Sequence, residues 1–214
     1  HPGIEKLSLR GQLALDDFQV DNEAVGDQEP SHWGIDAGVY WRDPLLLPMH
    51  SLLKAGYCRR SEWLYTVPDN NMEAGEGYTF LSKSLGYPKN DGDEIWVGAS
   101  VIGKTPWVGS AMISYGREGD KNVNSFWFDN IPGNTPGLPF DYAAGQFPSG
   151  TVMNTVSFSL EGSAYVCAFA DASFMINNRW IKNKNHQATP FVYAPVFSAS
   201  LGLHLSNLHF ALPQ

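Results

Sequence analysis

Apolar and polar residues alternate with a period of two along much of this chain, the pattern of strands that bury one face. Leu7, Leu9, Leu13 and Leu15 interleave with Lys6, Ser8, Arg10 and Gln12. Trp33, Ile35, Ala37, Val39 and Trp41 then recur at every second position, with His32, Asp36 and Tyr40 on the opposite face. The clearest stretch is 151–174. Val152, Val156, Phe158 and Leu160 take one face there and Thr155, Ser157 and Ser159 the other. Glu161-Gly162-Ser163 predicts a turn into a return strand over 164–170. That return strand is apolar on both faces, so it calls for a cover, either a second sheet or another copy of the chain.

Further strands are predicted at 62–67, 78–82, 94–102, 106–115, 123–129, 191–198 and 201–212, divided by Gly, Asn, Asp and Pro clusters. In the last, Leu203 and Leu205 differ in parity from Leu208, Phe210 and Leu212, and a bulge near Ser206-Asn207 reconciles them. One short helix is predicted over 48–55, with Pro48 at its start and Gly56 placed to stop it. The acidic segment 16–29 lacks the spacing of a calcium loop and reads as solvated. The Pro-rich segment 131–150 has the length of a functional loop or surface arm. These signals specify an all-β fold, an antiparallel β-sandwich or barrel with long irregular loops and at most one or two short helices. Residues 1–214 are expected to form a single β-sandwich domain.

Composition narrows the function more than the fold. The chain has 214 residues, a formal net charge of -8 and a pI near 5.1, which argues against nucleic acid or an anionic membrane as the main partner. No apolar run reaches the length of a spanning helix and no signal segment is evident, so membrane insertion is not expected. Charged residues make up only 17%, leaving a surface of Ser, Asn, Gly and aromatic side chains suited to recognition. A start at His1 rather than Met suggests a processed or excised product. Cys58 and Cys167 read as two buried thiols rather than a bridge. The absence of an Asn-x-Ser/Thr acceptor leans away from a secreted glycoprotein.

No nucleophile elbow, zinc-protease helix, phosphate loop or dinucleotide fingerprint occurs, and no cofactor is called for. Glu94, Asp129, Glu161 and Asp171 are carboxylates of the kind that flank a glycosidic bond, but the E-x-D-x-E pattern that concanavalin-like glucanases carry on one strand does not occur, so glycoside hydrolysis is unsupported. The one basic cluster, 179–186, is the candidate binding loop for an anionic or glycan ligand: Trp180 to stack on a sugar, Arg179, Lys182, Lys184 and His186 to meet carboxylates. Phe140 and Tyr142 of the 131–150 loop are the aromatic candidates beside it. An enzymatic alternative uses His1. Lytic polysaccharide monooxygenases hold copper by a mature N-terminal His, and His32, with His50 and His186 as further candidates, would supply the second ligand. His204 and His209 stand ~13 Å apart along a strand, too far for a shared metal.

Two resemblances add to this. Thr155 to Gly162, TVSFSLEG, followed by Val166 to Phe169, resembles the "ISFSLNG…GVAF" hairpin of SPRY domains, which implies a concanavalin-like sandwich that recognises protein or carbohydrate through its loops. In size, all-β character, aromatic and Pro-rich loops and lack of catalytic motif, the whole chain resembles the avian-type astrovirus capsid spike. That resemblance implies a non-enzymatic module on a virion surface, homodimeric through an apolar face at 164–170 or 126–128, which attaches to a host receptor or glycan. A soluble extracellular or cytosolic domain is the alternative setting.

Overall fold

Regular structure in the computed structural model consists of strands and one 3-10 turn; residues 6–17, 32–44, 49–62, 64, 79–80, 83–84, 90–103, 107–121, 147–167 and 170–203 are described. The strands are β1 (Leu7–Asp17), β2 (His32–Arg42), β3 (His50–Arg60), β4 (Thr79–Phe80), β5 (Lys83–Ser84), β6 (Gly92–Ile102), β7 (Trp107–Glu118), β8 (Met153–Cys167), β9 (Ala170–Lys182) and β10 (Val192–Leu203). Eight of them form one sheet in the order β1-β2-β3-β6-β7-β8-β9-β10, and β4 pairs with β5 as a separate two-stranded piece. Every neighbouring pair is antiparallel, so the sheet is an up-and-down meander. The all-β expectation holds, and no α-helix occurs among the described residues. The sheet is open: among the described residues β1 and β10 each pair on one side only, and no second large sheet covers it.

Several boundaries differ from the sequence reading, and glycine explains the main ones. The predicted helix over 48–55 is instead strand from His50 onward. Gly56, read as its stop, lies mid-strand, where a Cβ would sit 2.3 Å from the Trp96 ring on β6. Glu161-Gly162-Ser163 does not turn the chain: β8 runs through it to Cys167, and a Cβ on Gly162 would lie 2.4 Å from the Phe174 ring of β9. In both cases glycine yields its side-chain space to an aromatic ring from the next strand, a use of strand glycine quite different from punctuation. The break expected between 191–198 and 201–212 is absent as well, since β10 continues to Leu203. The strand at 123–129, most of 62–67 and the bulge at 206–207 lie outside the described residues.

Register sorts the side chains into two faces, because directly paired residues of an antiparallel sheet point the same way. One face carries Leu9, Val39, Ala55, Val97, Ile113 and Phe158 in one cross-strand row. The neighbouring row is Leu7, Trp41, Leu53, Ala99, Ala111, Leu160, Ile176 and Phe197. The opposite face carries Arg10, Asp36, Lys54, Glu94, Ser114, Thr155, Ser157, Ser159, Asn177 and Arg179.

Burial runs opposite to the usual sense. On β2, Ile35, Val39 and Trp41 are exposed while Gly34 and Gly38 are buried and Asp36 and Tyr40 half-buried. On β7, Ile113 is 54% exposed and the adjacent Ser114 only 7%. Leu9 and Phe197 reach 74% and 70%. On β2, β6, β7 and the middle of β8 the apolar rows thus face outward and polar and small residues are sheltered, whereas on the edge strands β1 and β10 residues of both faces are exposed.

The connections are unequal at the two ends. Segments 43–49, 103–106 and 168–169 join strands at one end, and 18–31, 61–91, 119–152 and 183–191 at the other. Three of these four are much longer than the turns opposite.

Candidate functional site

The basic cluster divides on folding. Arg179, Trp180 and Lys182 belong to β9, not to a loop. Arg179 pairs with Ser157 on the polar face, whereas Trp180 pairs with Val156 and Tyr193 on the apolar one, and Lys182 follows it there. Lys184 and His186 lie in the 3-10 turn Lys184–His186 that follows. This turn is docked onto the start of β8. His186 Nδ1 lies 3.1 Å from the Thr151 carbonyl oxygen, and Asn183 Nδ2 donates to the Val152 carbonyl at 2.9 Å. A single binding loop joining all five residues is therefore not formed, because alternate strand residues face opposite ways.

Phe140, Tyr142 and His1 lie outside the described residues. His32 is buried on β2. Among the described residues no group of His, Cys, Asp and Glu is arranged to hold a metal ion. Cys58 and Cys167 are both free thiols. Cys58 is buried and its pKa is raised, first by desolvation, but Cys167 is exposed, contrary to the expectation of two buried thiols.

The apolar face is bordered at the long-loop end by two further rows, which sequence inspection alone did not assemble. The first is aromatic: Tyr57, Ile95, Tyr115, Val156, Trp180 and Tyr193 are in register. Beyond it lies a polar row of Arg59, Asp93, Arg117, Asn154 and Lys182. Two tyrosines reach from the first row to the second, with Tyr115 Oη donating to Asn154 Oδ1 at 2.8 Å and Tyr57 Oη to Asp93 Oδ2 at 3.4 Å. Arg117 grips Asp93 through Nε at 2.9 Å and Nη2 at 2.6 Å, and this bidentate pairing pushes the guanidinium pKa up. Asn178, a polar residue within the aliphatic field, accepts a hydrogen bond from Tyr193 Oη. Trp180 and Tyr193 rings lie 5.5 Å apart. Arg59 sits 5.3 Å from the Trp33 ring and 4.0 Å from that of Phe147.

A carboxylate knot ties the long connections together at the same end. Asp91, fully buried, accepts from the Ser149 amide at 3.0 Å, from Ser149 Oγ at 2.5 Å and from the Lys121 amide at 3.3 Å. Its backbone carbonyl accepts from Gly119 at 2.7 Å. Ser149 Oγ also lies 2.8 Å from Asp120 Oδ1. A hydroxyl has one proton to donate, so this arrangement accommodates a proton on one of the two carboxylates. Desolvation raises the Asp91 pKa against the pull of these hydrogen bonds. Glu62 close by is pushed up to about 7, first by desolvation and then by the charge of Asp91.

The folded Glu62 pKa exceeds the ordinary value of 4.5, so the folded state binds more protons between the two values. Its contribution to stability is fully present below 4.5 and is lost as pH rises through about 7. Glu62→Gln is expected to stabilise the protein at pH 8 by about 1–2 kcal/mol after solvent screening, with little gain at pH 4.5. Denaturant midpoints at the two pH values measure this. An unchanged pH slope in the variant would remove Glu62 from the account.

No protein-family model, curated protein or solved structure matches this chain.

Proposed function

We propose that this chain forms a membrane-spanning β-barrel, complete or as a section of its wall, with the polar face lining a lumen that admits polar solutes. The carrying observation is the inverted burial, with apolar residues outward and polar or small residues sheltered along β2, β6, β7 and the middle of β8. Exposed apolar patches of this extent need a cover. A bilayer suits the geometry: Trp33 and Trp41 bracket the apolar part of β2, and Trp107 and Tyr115 that of β7. Eight residues of strand span ~27 Å, or about 20 Å along the membrane normal at a tilt of ~40°, close to the ~25 Å apolar band of such barrels.

Tyr115 then falls at the headgroup level, its ring in the apolar layer and its hydroxyl toward Asn154, where the neighbouring Arg117 meets lipid headgroups. Short turns at one end and longer loops at the other agree with this placement. A wall in lipid leaves no strand edge unpaired, so the reading requires β1 and β10 to pair, with each other or with further strands. The absence of a spanning helix among the described residues is compatible, since barrels cross with strands.

The test is refolding of the full chain into phosphatidylcholine vesicles, followed by alkaline washing and flotation. Co-flotation, with protease cutting the loops and sparing the strands, is the expected result. A monodisperse protein that stays in the aqueous fraction without detergent would overturn the reading. A second reading is favoured by the same exposed rows: an attachment module for a host receptor or glycan, paired as a homodimer with two apolar faces in contact. It predicts a soluble species of twice the chain mass in sedimentation and no vesicle association.

A further inference from the structure

On the polar face, Trp96, Ser114, Ser157 and Arg179 form one row across four adjacent strands. Three strand spacings separate its ends by ~14 Å. We infer that this row is a binding track for saccharides, with Arg179 selecting acidic ones; the inference deepens the barrel reading, in which the row lines the lumen.

Each part of the row suits a different part of a sugar. The Trp96 ring occupies the space that a side chain at Gly56 would take, which fixes the half-buried indole against the sheet at this point of the row. An aromatic face of this kind stacks on the C–H face of a pyranose. Tyr40 flanks the indole, its ring folded over Gly38 with its centroid 6.3 Å from that of Trp96 and tilted 55° to it. Ser114 and Ser157 follow as a floor of small hydroxyls able both to donate and to accept.

Arg179 closes the row half-buried and without a carboxylate partner among the described residues. Its planar fork fits a carboxylate in two parallel hydrogen bonds. One row away, the buried Asn177 Oδ1 has no donor among the described residues.

The experiment titrates trigalacturonate and maltotriose into vesicles carrying the full chain, with flotation scored on the same preparation. Both sugars are expected to bind, the acidic one about tenfold more tightly. Trp96→Ala should weaken both by about tenfold and Trp96→Phe by less. Arg179→Gln should remove the preference for trigalacturonate, lowering its affinity about tenfold to the level of maltotriose, and Arg179→Lys should restore part of it. Protein that floats but binds neither sugar, or a Trp96→Ala variant that floats and binds like the parent, overturns the track and leaves the barrel standing. Protein that binds with these variant effects but does not float overturns the barrel and keeps the track as a surface site.

Discussion

Replacing Ile113 by Arg is expected to lower the fraction of chain inserted into vesicles several-fold, while replacing Glu161 by Arg leaves insertion intact. The two positions are on adjacent strands and both are exposed. They differ in face: Ile113 pairs with Val97 and Phe158 in the aliphatic row, and Glu161 pairs with Ser110 and Met175 on the polar side. In water, an Arg at an exposed strand position changes stability by about 0.5 kcal/mol or less and improves solubility. Against hydrocarbon an Arg costs about 2–4 kcal/mol at the bilayer midplane and less toward the interface; at Ile113, one step inside Tyr115 on β7, about 1–2 kcal/mol is expected, a factor of roughly 5–30 in the inserted fraction. The contrast therefore separates lipid from water as the solvent of the apolar face. Flotation of both variants beside the parent reads it directly. Equal behaviour of the two would sink the barrel reading, because no bilayer treats these faces alike.

The same face also shows why the sequence was legible up to a point. Alternation in Leu7–Leu15 and Trp33–Trp41 predicts strands, and β1 and β2 are there. Alternation does not say which face is inside, because the period is identical whether the apolar side meets a protein core or lipid. Membrane insertion was discounted for want of a long apolar run, but that criterion belongs to helices. A spanning strand of 9–11 residues alternates and never produces such a run.

The glycines misled in a related way. Gly56 and Gly162 have the local chemistry of a helix stop and a turn, and only the register of the neighbouring strand reveals Trp96 and Phe174 lying over them. A mid-strand glycine matched to an aromatic one strand away was the available signal. It needed the pairing to be known first. The proposed role of Trp96 has no signal in the sequence for the same reason, and adjacency in sequence groups Trp180 with Arg179 although they lie on opposite faces.

Gly56→Ala tests that seat at the level of one methyl group. The added Cβ would lie 2.3 Å and 2.5 Å from Trp96 Cζ2 and Cε2, and 3.0 Å from the Ala37 carbonyl oxygen. Real contacts of that kind do not reach 2.3 Å, so the indole must swing off the sheet or β3 must move. The expected destabilisation is about 1–3 kcal/mol, read as a lowered denaturant midpoint. Trp96→Ala alone uncovers the strand backbone and is also destabilising. The double variant is the decisive case: with the indole gone, the new methyl meets only the tight Ala37 oxygen, so the double loss should fall short of the summed single losses by about 1–2 kcal/mol. Had Gly56 been the stop of a helix over 48–55, alanine there would cost about 1 kcal/mol through backbone conformation, with no coupling to residue 96. A cycle without coupling would therefore unseat Trp96 from Gly56. It would also weaken the saccharide track, since an indole not fixed at Gly56 is not held in place for a ligand.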